Sequence, residues 1–98
     1  MMRVPFEFLL SWVEPGFTLI LYGPDFHNWH GEIFQIKKVD EERGILIAVG
    51  PFSHGTHLSI SGAQCVYLIS PDVVEGYIAG VGVFRIYKKE EEKEGGEK

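Results

Sequence analysis

The residues best suited to chemistry in this chain are its four histidines, and their spacing repeats. Gly23, Pro24, His27 and His30 return 27 positions later as Gly50, Pro51, His54 and His57, so a Gly-Pro-x-x-His-x-x-His pattern occurs twice. Neutral imidazole nitrogens are ligands for Zn(II), Ni(II) and Cu(II). On an extended strand, residues i and i+3 point to opposite faces, so such a pair can share an ion only where the backbone turns. The Gly-Pro ahead of each pair supplies a turn. His27, His30, His54 and His57 are therefore candidate ligands for one transition-metal ion, with Asp25 as a further ligand or as an acceptor for an imidazole N–H. The competing reading is a duplicated hairpin whose histidines are hydrogen-bonding turn residues, with no metal.

Other side chains in and near these loops offer recognition rather than catalysis. Phe26, Trp29 and Phe52 either plug one end of the core or form a contact surface for a protein or a flat ligand. Asp40 and Arg43 lie in the charged run Asp40-Glu41-Glu42-Arg43-Gly44, which reads as a solvated hairpin tip or as part of a binding edge. Cys65, the only cysteine, sits in an apolar run where a thiol is usually inert. No Ser-His-Asp or paired-carboxylate pattern stands out, and a non-enzymatic role is the expectation.

The elements that must carry these groups are short. Residues 5–13 predict a helix, with Pro5 at its first position, Glu7 in the first turn, and Phe6, Leu9, Leu10 and Val13 at i, i+3, i+4 and i+7. Glu14-Pro15-Gly16 ends it. Strands are expected at 17–22, 32–39, 45–49, 57–61 and 65–69, with one helical turn at 72–77 and a last strand at 81–88. The expected core comprises Leu19, Leu21, Ile33, Ile36, Leu46, Ile47, Val49, Ile60, Val66 and Leu68. The repeat extends into the strands, because Leu19, Ile20 and Ile33 align with Leu46, Ile47 and Ile60. In a meander the two histidine loops fall at the same end of the sheet.

Length and charge narrow the remaining classes. Ninety-eight residues suffice for one domain, here 1–87, followed by a charged tail at 88–98 with four positive and five negative side chains. Without that tail the body carries five Lys/Arg against nine Asp/Glu. Binding to nucleic acid through phosphates needs a basic face, which this acidic body lacks, so a protein partner or self-association is favoured over nucleic acid. Apolar runs are too short for a membrane span, and Glu7 and Pro15 interrupt what would have to be a signal peptide. One cysteine allows no internal disulfide, so the cytoplasm is the expected compartment.

Ile60-Ser61-Gly62-Ala63-Gln64-Cys65-Val66-Tyr67-Leu68 resembles the second Sm motif of the Sm and Sm-like RNA-binding proteins, Ile-Arg-Gly-Asp/Asn followed by an apolar strand with Tyr. Pro5-Phe6-Glu7-Phe8-Leu9 stands where that family has its Pro-Leu-Asp-x-Leu helix. Gly31, Ile33 and Asp40 suit the first motif, with three extra residues between Gly31 and Asp40 and with Arg43-Gly44 in place of Met-Asn. The resemblance covers roughly residues 5–70. It implies a mainly β fold, a small bent antiparallel SH3/Sm-like barrel with an N-terminal helix and an extra C-terminal strand. Ser61 and Ala63 replace the Arg and Asp/Asn that hold a base in the family, so the resemblance carries over the fold and edge-strand assembly without the RNA site. The resulting expectation is a binding or assembly module, with metal binding through the histidines and Sm-like RNA binding as alternatives.

Overall fold

The computed structural model describes residues 1–23, 31–50 and 55–88. A two-residue strand, β1 (Met2–Arg3), leads into helix α1 (Phe6–Trp12). There follow β2 (Thr18–Gly23), β3 (Glu32–Asp40), β4 (Ile45–Val49), β5 (Gly55–Ser59), a 3-10 turn (Ile60–Gly62), β6 (Ala63–Ser70), β7 (Val73–Ile78) and β8 (Gly82–Tyr87). Pro5 occupies the N-cap of α1 with φ −73°, and the Val13 N–H donates back to the Leu9 carbonyl at 3.0 Å as the helix stops. Pro15 cannot continue a helix, and Gly16 takes φ 98°, which a side chain would strain. Leu9 and Val13 are buried, and the Trp12 ring meets Phe17 edge-on at a centroid distance of 5.1 Å.

All strand pairs are antiparallel in one sheet of order β1-β6-β7-β8-β2-β3-β4-β5. The link between β5 and β6 dictates its shape. These strands stand six places apart in the sheet, which in a flat sheet would separate them by about 29 Å. Only the three residues Ile60–Gly62 join them, a reach of about 14 Å from Ser59 to Ala63. The sheet must therefore curl until its two ends approach. Register shifts between Leu21 and Gly23, Ile36 and Lys38, Ala63 and Cys65, and Leu68 and Ser70 supply bends of the kind β-bulges introduce. Among the described residues no pairing joins β5 to β6 or β1, so the curled sheet is not the closed barrel expected from the sequence.

The inner face wraps one apolar cluster. Phe17 and Leu19 enter it from β2 and its approach, Phe34 and Ile36 from β3, Leu46 and Ala48 from β4, and Leu58 and Ile60 from β5 and the 3-10 turn. Val66, Val74, Ile78, Phe84 and Ile86 enter from β6 to β8, and Leu9 of α1 and Val13 just after it close over them. Alternation along each strand decides who enters. Phe34 and Ile36 point in, so Ile33 points out and is 56% exposed, against expectation. Ile47 and Val49 are likewise half-buried, because Leu46 and Ala48 hold the inward positions.

Two further expectations change. Residues 72–77 form no helical turn: Val74, Gly76 and Ile78 alternate inward as β7, and Gly76 lets the Phe84 ring lie against the backbone. The β7–β8 hairpin thereby comes between β6 and β2. The apparent hairpin duplication is also out of register. Ile20 pairs with Ile33, but Ile47 pairs with His57 rather than with Ile60, which sits three residues further on.

Candidate functional site

Of the residues singled out by their chemistry, Asp25, His27, His30, His54, Phe26, Trp29 and Phe52 lie outside the described residues. His57 is exposed on β5. The ends of the two histidine-bearing segments do lie at one end of the sheet: Leu21 pairs with Glu32 where the first begins and ends, and Val49 pairs with Gly55 where the second does. Among the described residues no group of three or more His, Cys, Asp or Glu side chains is placed to hold a metal ion. Asp40 and Arg43 form a local pair at the β3–β4 turn, with Arg43 Nε 2.9 Å from Asp40 Oδ2 and the Arg43 N–H donating to Oδ1 at 3.2 Å. The Arg43 side-chain hydrogen bond, then its backbone one, holds the Asp40 carboxyl below the usual carboxylate range. This pair caps its own turn.

The outer face of the sheet assembles a different set. Since Val66, Val74, Phe84 and Leu19 point inward, Tyr67, Glu75, Tyr77, Arg85, Tyr87, Ile20 and Tyr22 occupy outward positions. One row runs across five strands as Tyr67, Glu75, Arg85, Ile20 and Ile33. The next runs through Val73, Tyr87, Thr18, Gln35 and Val49. All four tyrosines of the chain are thus on this face, whereas Phe17, Phe34 and Phe84 are buried in the core. A phenol brings the same apolar ring as Phe with a hydroxyl that needs a partner, so it belongs where water or a ligand can supply one.

The polar groups of this face are tied together. Arg85 Nε donates to Glu75 Oε1 at 2.7 Å and Arg85 Nη1 donates to Tyr87 Oη at 3.3 Å. Those two hydrogen bonds, Tyr87's foremost, raise the guanidinium pKa further above its ordinary value. Burial, followed by the charge and hydrogen bond of Tyr87, pushes the Tyr22 phenol up. Beyond the network the face carries an open concavity of about 380 Å³ lined by Thr18, Ile33, Phe34, Gln35, Val49 and Gly50.

No family model, no curated protein and no solved structure matches this chain. Its functional reading therefore rests on the groups themselves. Phenols, a paired guanidinium and exposed aliphatic carbon beside a concavity are groups of recognition, and Tyr and Arg are the residues that contribute most at protein interfaces. Sequence reasoning missed Tyr22, Tyr67, Tyr77, Tyr87, Glu75 and Arg85. The signal was present in the alternation Val73-Val74-Glu75-Gly76-Tyr77-Ile78, which sets Glu75 and Tyr77 on one side once the segment is read as a strand. No helix among the described residues is long and apolar enough to cross a membrane.

Proposed function

We propose that this protein is a non-enzymatic binding and assembly module whose recognition surface is the outer face of the sheet, and that its partner is a protein. The observation that carries the reading is the gathering of all four tyrosines and Ile33 around the Glu75–Arg85 pair, beside the Thr18–Gln35–Val49 concavity. The body's excess of acidic side chains, nine against five, speaks against an RNA held through its phosphates. The order of elements, a short helix followed by β2 to β5, a 3-10 turn and β6, supports an Sm-like origin for the module. The β7–β8 hairpin between β6 and β2 is a departure from the five-stranded barrel of that family.

A photo-crosslinking amino acid at position 77, on the face, and at position 41, at the hairpin tip, tests this in the source cells. A protein adduct specific to position 77 is expected. Adducts to RNA at position 77, with binding of single-stranded RNA that weakens steeply between low and moderate salt, would overturn the order of preference.

Metal binding by His27, His30, His54 and His57 stands as a second reading, favoured by the shared end of the sheet from which both segments depart. Equilibrium dialysis of the full chain against Zn(II), Ni(II) and Cu(II), with a His27→Ala/His54→Ala variant beside it, decides this. Retention of less than one ion per chain by the wild type, or equal retention by the variant, excludes the site.

A further inference from the structure

Among the described residues β5 pairs with β4 alone, through five consecutive pairs from Ile45 opposite Ser59 to Val49 opposite Gly55, without a bulge. The phase of that ladder follows from Ile60, whose N–H donates to the Gly44 carbonyl at 2.8 Å. In an antiparallel ladder bonded and non-bonded pairs alternate. Stepping back from Gly44/Ile60, the bonded pairs are Leu46/Leu58 and Ala48/Thr56. Gly55, His57 and Ser59 consequently direct their N–H and C=O groups away from β4, toward a margin at which no strand among the described residues pairs with them. Soluble proteins blunt such margins with lysine, proline or a bulge, and β5, Gly55-Thr56-His57-Leu58-Ser59, has none of these.

The opposite margin of the sheet is β1, whose two residues are too few to match the five of β5. β1 pairs with Tyr67 and Leu68, the Val4 N–H donates to the Val66 carbonyl at 2.9 Å, and Arg3 Nη2 reaches the Gln64 carbonyl at 3.4 Å. Head-to-tail pairing of copies would need that margin of a neighbour. Among the described residues, the complementary strand left for β5 is another β5.

We propose that two copies of this chain pair β5 to β5, antiparallel, about a two-fold axis at His57, so that the two sheets continue as one. This register sets His57 opposite His57 of the partner subunit and Gly55 opposite Ser59 of the partner subunit. All three outward-facing positions then fall in bonded pairs, about six backbone hydrogen bonds in all. A shift of the axis to position 56 or 58 loses one of those pairs. An isologous contact of this kind closes on itself as a dimer instead of growing into a fibre. β5 carries no Asp, Glu, Lys or Arg, so no like charges of those types meet at the seam.

The inference specifies the assembly part of the function proposed above, and its test is separate from that of the tyrosine face. Sedimentation equilibrium of the full chain should give a dimer. His57→Pro deletes an N–H that faces this margin while sparing the ladder to β4, and should give a monomer with an unchanged far-UV circular dichroism spectrum. In a Cys65→Ser background, His57→Cys should form a disulfide-linked dimer under mild oxidation, because Cα atoms of a directly opposed bonded pair lie about 5.5 Å apart. Ser61→Cys in the same background should not. A wild-type monomer, an oligomer larger than two, or a dimer whose position 57 fails to crosslink overturns the pairing. If His57→Pro does not fold, the cysteine pair decides alone. A monomer that still gives a protein adduct at position 77 refutes the pairing and leaves the binding face standing.

Discussion

Glu75 and Arg85 face each other across the β7–β8 ladder, Oε1 to Nε 2.7 Å, with their side chains 30% and 36% exposed. A pair this accessible is screened by water, so its contribution to stability is about 1 kcal/mol or less. Glu75→Gln and Arg85→Met should each lower the urea midpoint modestly, and the double variant should lose less than the two single losses combined. A double-mutant cycle by urea denaturation measures the coupling, and strict additivity would show that the two groups do not support each other.

Tyr22 makes stability fall in alkali. Its phenol pKa is raised in the folded protein, by burial first and then by Tyr87, so the native state retains a proton that the unfolded chain releases near pH 10. The stabilising preference is fully present below the unfolded pKa and is lost as pH rises through the folded one. Tyr22→Phe should flatten the loss of stability above about pH 10. Absorbance at 295 nm should show one phenol titrating late in the wild type and missing in the variant.

Gly76 is required by the Phe84 ring. A Cβ at position 76 would stand 2.6 Å from Phe84 Cε2 and 3.2 Å from the Cys65 carbonyl oxygen, and Phe84 is fully buried, so the ring has nowhere to go. Gly76→Ala should cost about 1–3 kcal/mol or more through overpacking. Thermal melts should show that Phe84→Leu, which costs stability in the wild type, is partly compensated when combined with Gly76→Ala.

Ile33 and Phe34 are neighbours with opposite fates, 56% and 3% exposed. Ile33→Ser should change unfolding free energy by no more than about 0.5 kcal/mol. Phe34→Ala empties part of the core and should cost about 3–5 kcal/mol. Urea denaturation of the two variants checks the inward-outward assignment of β3, and a large loss for Ile33→Ser would reverse it.

The local pattern of the chain carries its elements. The Pro5 start and Leu9/Val13 stripe specify α1, and the 45–49 run specifies β4 to the residue. Glycine and proline mark most of the turns, because φ freedom and a missing N–H act within a few residues. Periodicity also separates inward from outward residues within each strand; it forbids placing both Leu46 and Ile47 inside, but it leaves the phase open in β3 and at the end of β4, where Phe34 and Ala48 take the inward positions expected for Ile33 and Val49. Pairing across the chain was decided by the tertiary structure. Nothing local tells β7 and β8 to lie between β6 and β2, or shortens the second histidine hairpin by three residues relative to the first. These follow from burying one shared core under a three-residue link between distant strands. The four tyrosines are spread from position 22 to position 87, and only the curled sheet puts them on one face, since alternation fixes sidedness within a strand while the order of strands fixes which sides adjoin.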